Sequence, residues 1–313
     1  MTQTKGGKQA KMTICIKKVG LFCPIKNLFI TLQKIYYKQL NNTTKNMKLT
    51  IIGSGNMGGA MAAGLAQGSI FQASDITCTD QFDGLLEKMR AINPDFNLTH
   101  DNLAATKDAD IIVIAVKPWR VESVIEEIKP VLDFKRQMVI SVAGGVTLNE
   151  LKGYFTKDSM QKQQFCPVIF RIIPNIAIEV KSSMTFVSAY NASQEQIDLV
   201  MSIYNELGHA LFIEERLMAA GTSLASSGIA FALRYVRAAV EGGIELGFYP
   251  REAQDIVINT IRGAITLLSE NKSNPESEID KVTTPGGTTI RGLNEMELSG
   301  FTSAVIRGLK ASR

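Results

Sequence analysis

One stretch narrows the possible folds more than any other. KLTIIGSGNMGGAMAAGL, Lys48 to Leu65, sets a short apolar run directly before Gly53-x-Gly55-x-x-Gly58 and a helix-forming tail. The first glycine permits a tight turn, the second lets a phosphate approach the main chain, and the third lets the helix lie close on the strand. A pyrophosphate then rests at the positive end of that helix. Alone the motif is weak, and it gains force from a strand before it and a βαβ rhythm after it. Further apolar runs, DITCTD, DIIVIAV and QMVISVAGG, recur with helical stretches between them. This alternation implies a parallel sheet with right-handed crossovers. DIIVIAV is apolar throughout, as a central strand covered on both faces has to be. CPVIFRIIP, SMTFVSAY and, after a helix near Gln194 to Leu207, HALFIEE extend the sheet.

By Glu215 the strands stop and only helical patterns follow. Between Arg251 and Glu270, apolar or small residues fall at 253, 256, 257, 260, 261, 264, 267 and 268, one stripe of a 3.6-residue period. The preceding RLMAAGTSLASSGIAFALRYVRAAVEGGIELG is rich in Ala, Ser and Gly and too apolar all round to leave in water. An obligate homodimer through this helical part is the natural inference, although a monomeric all-helical core has the same signature. The expected organisation is therefore α/β: an amino-terminal Rossmann-type doubly wound parallel sheet at 47–214, then an all-helical dimerisation domain at 215–313.

Charge and rare residues exclude several classes. The formal charge of +4 misleads, because residues 1–46 carry nine lysines and no acid, which leaves 25 basic and 30 acidic residues in 47–313. A mildly acidic body offers no basic face for nucleic acid. The first 46 residues break their apolar run at Pro24 and Lys26, fit a signal peptide poorly and are too charged to span a bilayer. Met47-Lys48 opens directly into a strand, so 1–46 reads as a basic extension outside the fold and Met47 as the native start. The rival is a basic tail that touches something acidic. Cys15, Cys23, Cys78 and Cys166 are scattered, which argues against a disulfide framework or a thiolate metal site and for a reducing cytoplasm. With only His100 and His209, a zinc site or a Ser-His-Asp triad has little material.

Three segments complete a candidate dinucleotide site. Asp80 closes the second strand, 27 residues after Gly53, where an acid accepts hydrogen bonds from ribose hydroxyls and repels a 2′-phosphate. A solvated strand-end Asp is the plainer reading. AVKP, at Ala115, Val116, Lys117 and Pro118, stands at the carboxyl edge where ligands of open sheets bind. SVAGGV, Ser141 to Val146, ends the next strand in small residues that leave room for a flat ring. A fourth segment poses a different question: IDKVTTPGGTTIRGLNEME, Ile279 to Glu297, places four threonines around Pro-Gly-Gly before a helix from Ile290. A connector has no need of them, whereas main-chain N–H groups at a helix start suit an anion.

At these residues the chain resembles the pyrroline-5-carboxylate reductase family. The similarity runs from Met47 to the carboxyl terminus on IIGSGNMGGAM, AVKP, SVAGGVT, RIIPN, SGIAFALRY and above all IDKVTTPGGTTIRGLNEME. The resemblance implies a Rossmann domain, a helical domain interlocked with its twin, and in many relatives rings of dimers. It implies hydride transfer from NADH or NADPH to the C=N carbon of Δ1-pyrroline-5-carboxylate, giving L-proline. It puts the cofactor, NADP(H) or NAD(H), on Ile52, Gly53, Ser54, Gly55, Asn56, Met57 and Gly58, on Asn102 near the adenosine, on Ala115 to Pro118, and on Val142, Ala143 and Gly144. It puts the substrate on Val282, Thr283, Thr284, Pro285, Gly286, Gly287, Thr288 and Thr289, with the Thr289 hydroxyl at the ring nitrogen. No metal and no membrane partner is implied. The chain departs from the family at ASSGIAF (Ala225 to Phe231), at IPNIA (Ile173 to Ala177) and at Asp80, where many relatives carry small hydroxyl residues.

Two rivals stand beside this reading. A reductase of the β-hydroxyacid dehydrogenase or ketopantoate type wants an acid-base group on a helix of the second domain, for which Lys272, Lys281, Glu241 and Glu245 are candidates. A non-catalytic dinucleotide sensor would keep the glycine fingerprint but has no use for TTPGGTT.

Overall fold

The computed structural model describes residues 47–156 and 166–313, and residues 47–313 group into one compact unit. The basic extension at 1–46, with Cys15 and Cys23, lies outside the described residues. In chain order the first half runs β1 (Leu49–Ile52), α1 (Asn56–Leu65), β2 (Ile76–Thr79), α2 (Asp83–Ile92), β3 (Asn97–Thr99), α3 (Asn102–Lys107), β4 (Ile111–Ile114), α4 (Val121–Ile128), β5 (Met138–Ser141) and α5 (Leu148–Thr156). Then come β6 (Val168–Ile173), β7 (Ser183–Tyr190), α6 (Gln194–Asn205) and β8 (Gly208–Phe212).

Among the described residues eight strands form one sheet in the order β3-β2-β1-β4-β5-β6-β7-β8. The period of two along each central strand divides its side chains between two cores. Leu49, Ile51, Ile111, Val113, Met138 and Ile140 face Met61 and Leu65 of α1 and Val200, Ile203 and Tyr204 of α6. Ile52, Ile112, Ile114 and Val139 face Val121, Val124, Ile125 and Ile128 of α4 and Leu151 and Phe155 of α5. Both faces are thus covered, and the wholly apolar strands are explained. Thr50, buried among them, donates its hydroxyl to the Ala105 carbonyl at 2.7 Å, so no polar group is stranded there.

The sheet departs from full parallelism in one place. β6 and β7 pair antiparallel, while every other neighbouring pair is parallel. The connection 174–182 holds only a 3₁₀ turn, Ile176–Val180, closed by Lys181 at φ 52°. A parallel crossover needs a dozen or more residues, so this short link forces a reversal. After β7, α6 restores a parallel crossover to β8.

One charge sits inside the apolar run of β6. Arg171 is 7% exposed, and its Nη1 donates to Glu215 Oε1 at 2.9 Å. The same oxygen accepts from the Leu148 N–H at the start of α5, at 2.6 Å. Glu215 belongs to the 3₁₀ turn Glu215–Leu217 that leads into the helical part, so this pair ties sheet, α5 and linker together. Removing Glu215 leaves the Arg171 guanidinium as an uncompensated buried charge. Glu215→Ala is expected to lower unfolding stability by about 3 kcal/mol in urea titration, and Arg171→Met/Glu215→Leu to recover most of the loss. A Glu215→Ala protein as stable as the parent would show the pair to be idle.

The second half is helical throughout: α7 (Met218–Gly221), a π-helical segment Thr222–Ser227, α8 (Gly228–Glu245), α9 (Pro250–Asn271), α10 (Pro275–Val282), α11 (Thr288–Leu298) and α12 (Phe301–Ala311). After Ser223, Ala253 is the one buried residue among those described. Of the expected α9 stripe, Val257, Ile261 and Leu268 are half-buried, whereas Ile256, Thr260, Ala264 and Leu267 face outward. These helices have no core of their own in a single chain. Among the described residues no helix is long and apolar enough to cross a membrane.

Candidate active site

The chain runs outward from β1 through β2 to β3, then returns to β4 on the other side of β1. That reversal opens a crevice at the carboxyl ends of β1 and β4, the place where ligands of such sheets bind. A cleft of about 1030 Å³ lies there.

The glycine loop forms its floor. Gly53, at φ 101°, takes a conformation costly for any side chain, and its N–H donates to Thr79 O at 2.9 Å. Gly55 is the N-cap of α1, no side chain caps that helix, and a Cβ at Gly55 would meet no protein atom within 4 Å. The uncapped N–H groups of α1 therefore stay available to an anion. Ser54 is buried: its N–H donates to Asp80 Oδ2 at 2.9 Å and its hydroxyl to Thr79 O at 3.1 Å. Ser54 and Gly58 do not line the cleft and shape it from behind. The other expected cofactor residues, Ile52, Gly53, Gly55, Asn56, Met57, Asp80, Asn102, Ala115 to Pro118 and Val142 to Gly144, all line it.

Beside β2 the polar groups are tightly interlocked. Asp80 Oδ1 accepts from the Phe82 N–H at 3.1 Å. Thr79 Oγ1 donates to Asn102 Oδ1 at 2.6 Å, and Asn102 Nδ2 donates to Glu127 Oε2 at 3.0 Å. This leaves one amide proton of Asn102 for a ligand. His100 sits with Nδ1 2.6 Å from the Asp80 carbonyl and Nε2 2.9 Å from Asp83 Oδ1. The carbonyl first, then the carboxylate, raise its pKa above the ordinary imidazole value. At β4, Ala115 N–H donates to Ile52 O at 2.8 Å, and Pro118 opens a 3₁₀ turn before α4. At β5, Val142 N–H donates to Ile114 O at 3.1 Å, and Gly145 at φ 88° turns the chain toward α5.

Sequence reasoning missed several lining residues. Ile176, Ile178 and Glu179 come from the β6–β7 link, and Phe82, Trp119 and Arg120 stand at the rim. Ile176 falls in IPNIA, which was not read as part of a site, and the others belong to no motif. Cys78 is buried beneath the sheet surface, and desolvation pushes its thiol up to about 12, so it is no nucleophile.

The threonine-rich segment is elsewhere. Val282 is the last residue of α10, and the Thr283 hydroxyl donates back to Ile279 O at 2.7 Å. Thr284-Pro285-Gly286-Gly287 is a β-turn closed by Gly287 N–H to Thr284 O at 2.9 Å, with Gly286 at φ 69°. Proline second and a positive-φ glycine third define type II. Gly287 is then the N-cap of α11, which begins at Thr288, two residues before the expected start, so Thr288 and Thr289 occupy its first turn without a side-chain cap. None of residues 282–289 lines the cleft of the same chain, and none is buried. Nor do the rival acid-base candidates line it: Lys281 pairs with Glu278 at 2.7 Å and Glu241 with Arg237 at 2.8 Å, while Lys272 and Glu245 stand exposed.

Strand order, crevice and uncapped glycine-loop helix define a dinucleotide-binding protein of the Rossmann type. The family model described as pyrroline-5-carboxylate reductase dimerisation matches residues 215–313, and the one described as NADP oxidoreductase, coenzyme F420-dependent, matches residues 48–145. Pyrroline-5-carboxylate reductase 2 of Dictyostelium discoideum is 34% identical over 282 residues, 85% of this chain and 91% of that relative. The Aquifex aeolicus pyrroline-5-carboxylate reductase is 31% identical, over 83% of this chain and 92% of the relative. The solved Coxiella burnetii pyrroline-5-carboxylate reductase superposes with a TM-score of 0.76 at 26% identity, covering 86% of this chain and 96% of that one. The chain belongs to the pyrroline-5-carboxylate reductase family.

Proposed function

We propose that the protein reduces Δ1-pyrroline-5-carboxylate to L-proline at the expense of a reduced nicotinamide dinucleotide. The observation that carries this reading is the type II turn of TTPGGTT, which opens α11 with uncapped main-chain N–H groups and two hydroxyls in its first turn. The substrate is a small cyclic imine with one carboxylate. The amides of Thr288 to Ile290 suit the carboxylate, and Thr289 Oγ1 suits the ring nitrogen. Residues 47–214 hold the dinucleotide, with Gly55, Asn56 and Met57 at the pyrophosphate, Asp80 and Asn102 at the adenosine ribose, and Val142 to Gly144 leaving space for a flat ring. Reduced nicotinamide, when bound, supplies the hydride that the imine carbon accepts. The nitrogen keeps its proton if the imine arrives protonated, and no strongly acidic side chain is then required. The work left to the chain is to hold the two rings face to face and exclude water.

Residues 282–289 lie outside their own chain's cleft, so the loop serves the cleft of a second copy, and residues 215–313 both dimerise and complete the site. Rings of such dimers are the larger assembly that the family resemblance suggests. The scattered free cysteines fit work in the reducing cytoplasm.

Oxidation of NADH and NADPH, followed with pyrroline-5-carboxylate and with a panel of 2-oxo acids, tests the assignment. Turnover confined to the imine is expected, and turnover confined to an oxo acid would overturn it. Thr289→Ala is expected to lower kcat/KM roughly ten- to a hundred-fold, the scale of one charge-assisted hydrogen bond of ~1.5–3 kcal/mol. Thr289→Ser should restore most of it, and an undiminished rate in Thr289→Ala would remove that hydroxyl from the mechanism.

A further inference from the structure

We infer that the cleft takes NAD(H) in preference to NADP(H), and that Asp80 decides it because two main-chain N–H groups fix its carboxylate. The inference rests on the reading of the cleft as a dinucleotide site. An acid at the end of β2 discriminates only if it stays where the ribose 2′ position will be, since a free carboxylate can swing away from a phosphate. Asp80 cannot swing freely. Its Oδ2 accepts from Ser54 N–H at 2.9 Å, and its Oδ1 from Phe82 N–H at 3.1 Å. The first of these bonds braces the glycine loop and the second the entry to α2, so turning the carboxylate away disturbs two walls of the site at once. Each oxygen keeps a further lone pair, enough to accept from the hydroxyls of a ribose diol. A 2′-phosphate would instead bring its own negative charge against a carboxylate that has nowhere to go.

The cations of the cleft do not offset this. His100 bridges the Asp80 carbonyl and the Asp83 carboxylate. Arg120 donates through Nη2 to Gln81 Oε1 at 3.3 Å. Lys117 follows β4, on the opposite side of β1 from Asp80. Asp83 and Glu127 add further negative charge at the adenosine end, Glu127 in the cleft wall and Asp83 bonded to His100, which lines it.

The chain's single tryptophan supplies a readout independent of turnover. Trp119 lines the cleft and is 77% exposed, so its fluorescence is expected to change when a dinucleotide binds. Titration of the full-length protein is expected to give a Kd for NADPH about tenfold or more above that for NADH, with kcat/KM following the same order. Asp80→Ser should bring the two Kd values to within about threefold of each other. Gln81→Arg, which leaves both Asp80 hydrogen bonds in place, should improve NADPH binding selectively and guards against a loop collapse in the first variant. Equal or tighter NADPH binding by the unaltered protein would overturn the inference, as would an unchanged NADH-to-NADPH ratio in both variants. Tight NADH binding without reduction of pyrroline-5-carboxylate would sustain this inference while sinking the proposed reaction. Failure to bind either dinucleotide would sink the reading of the cleft and this inference with it.

Discussion

Gly58→Ala is expected to weaken dinucleotide binding by about a hundredfold or more while the chain still folds. A Cβ at position 58 would lie 1.9 Å from the Gly53 carbonyl oxygen and 3.1 Å from Ala115 Cβ. Neither neighbour can withdraw. Gly53 is held by its N–H to Thr79 O, and its own missing Cβ already stands against the Ala115 carbonyl, 2.8 Å away. The helix must move instead. Overpacking of this kind costs about 1–3 kcal/mol of stability, which a sheet buried on both faces can absorb. Binding is less tolerant, because displacing α1 takes its first N–H groups off the pyrophosphate. One or two charge-assisted hydrogen bonds at ~1.5–3 kcal/mol each account for the loss in affinity. Titration by Trp119 fluorescence, alongside a thermal melt, separates the two effects. Gly84→Ala is the control: a Cβ there meets nothing within 4 Å, and the change favours the helix by up to ~1 kcal/mol. Parental affinity in Gly58→Ala would mean that the helix start takes no part in holding phosphate.

The same local logic explains what could be read before the structure was known. β1, β4 and β5 announce themselves because strands covered on both faces must be apolar throughout, and the glycine spacing follows from how close α1 lies to β1. β3 gave no signal, being three residues at an open edge. The antiparallel turn of β7 was legible in principle, since nine residues separate β6 from β7, but only once both strand ends were known. Arg171 was visible as a lone charge in an apolar run, whereas its partner lies 44 positions on and no pattern links them. Of the cleft, the segments at strand ends could be found by motif. Ile176, Ile178 and Glu179 could not, because they enter from a link whose path depends on that reversal. TTPGGTT stood out by composition, yet composition says nothing of where the segment lies relative to the cleft.

That separation leads to the second large effect. Ile256→Asp/Leu267→Asp is expected to yield a monomer that binds NADH as the parent does and turns over at least about a hundredfold more slowly. Eleven residues are three helical turns, so the two side chains share a face of α9 with Thr260 and Ala264 between them, and both are exposed. Each apolar side chain of this size gains ~1.5–3 kcal/mol when a partner covers it. Two aspartates at the same points lose that gain and add unpaired charge to a desolvated face, which a dimer held by such surfaces cannot withstand. The cleft is composed of residues 52–179 of one chain, so Trp119 should report unaltered NADH binding by the monomer. Residues 282–289 lie outside that cleft, so turnover should go with the partner. Light scattering during size-exclusion chromatography gives the mass, and NADH oxidation gives the rate. A dimer with full activity would free α9 from the interface. A monomer as active as the parent would overturn the transfer of the threonine loop between chains, because the loop would then have reached its own nicotinamide by a movement within a single copy.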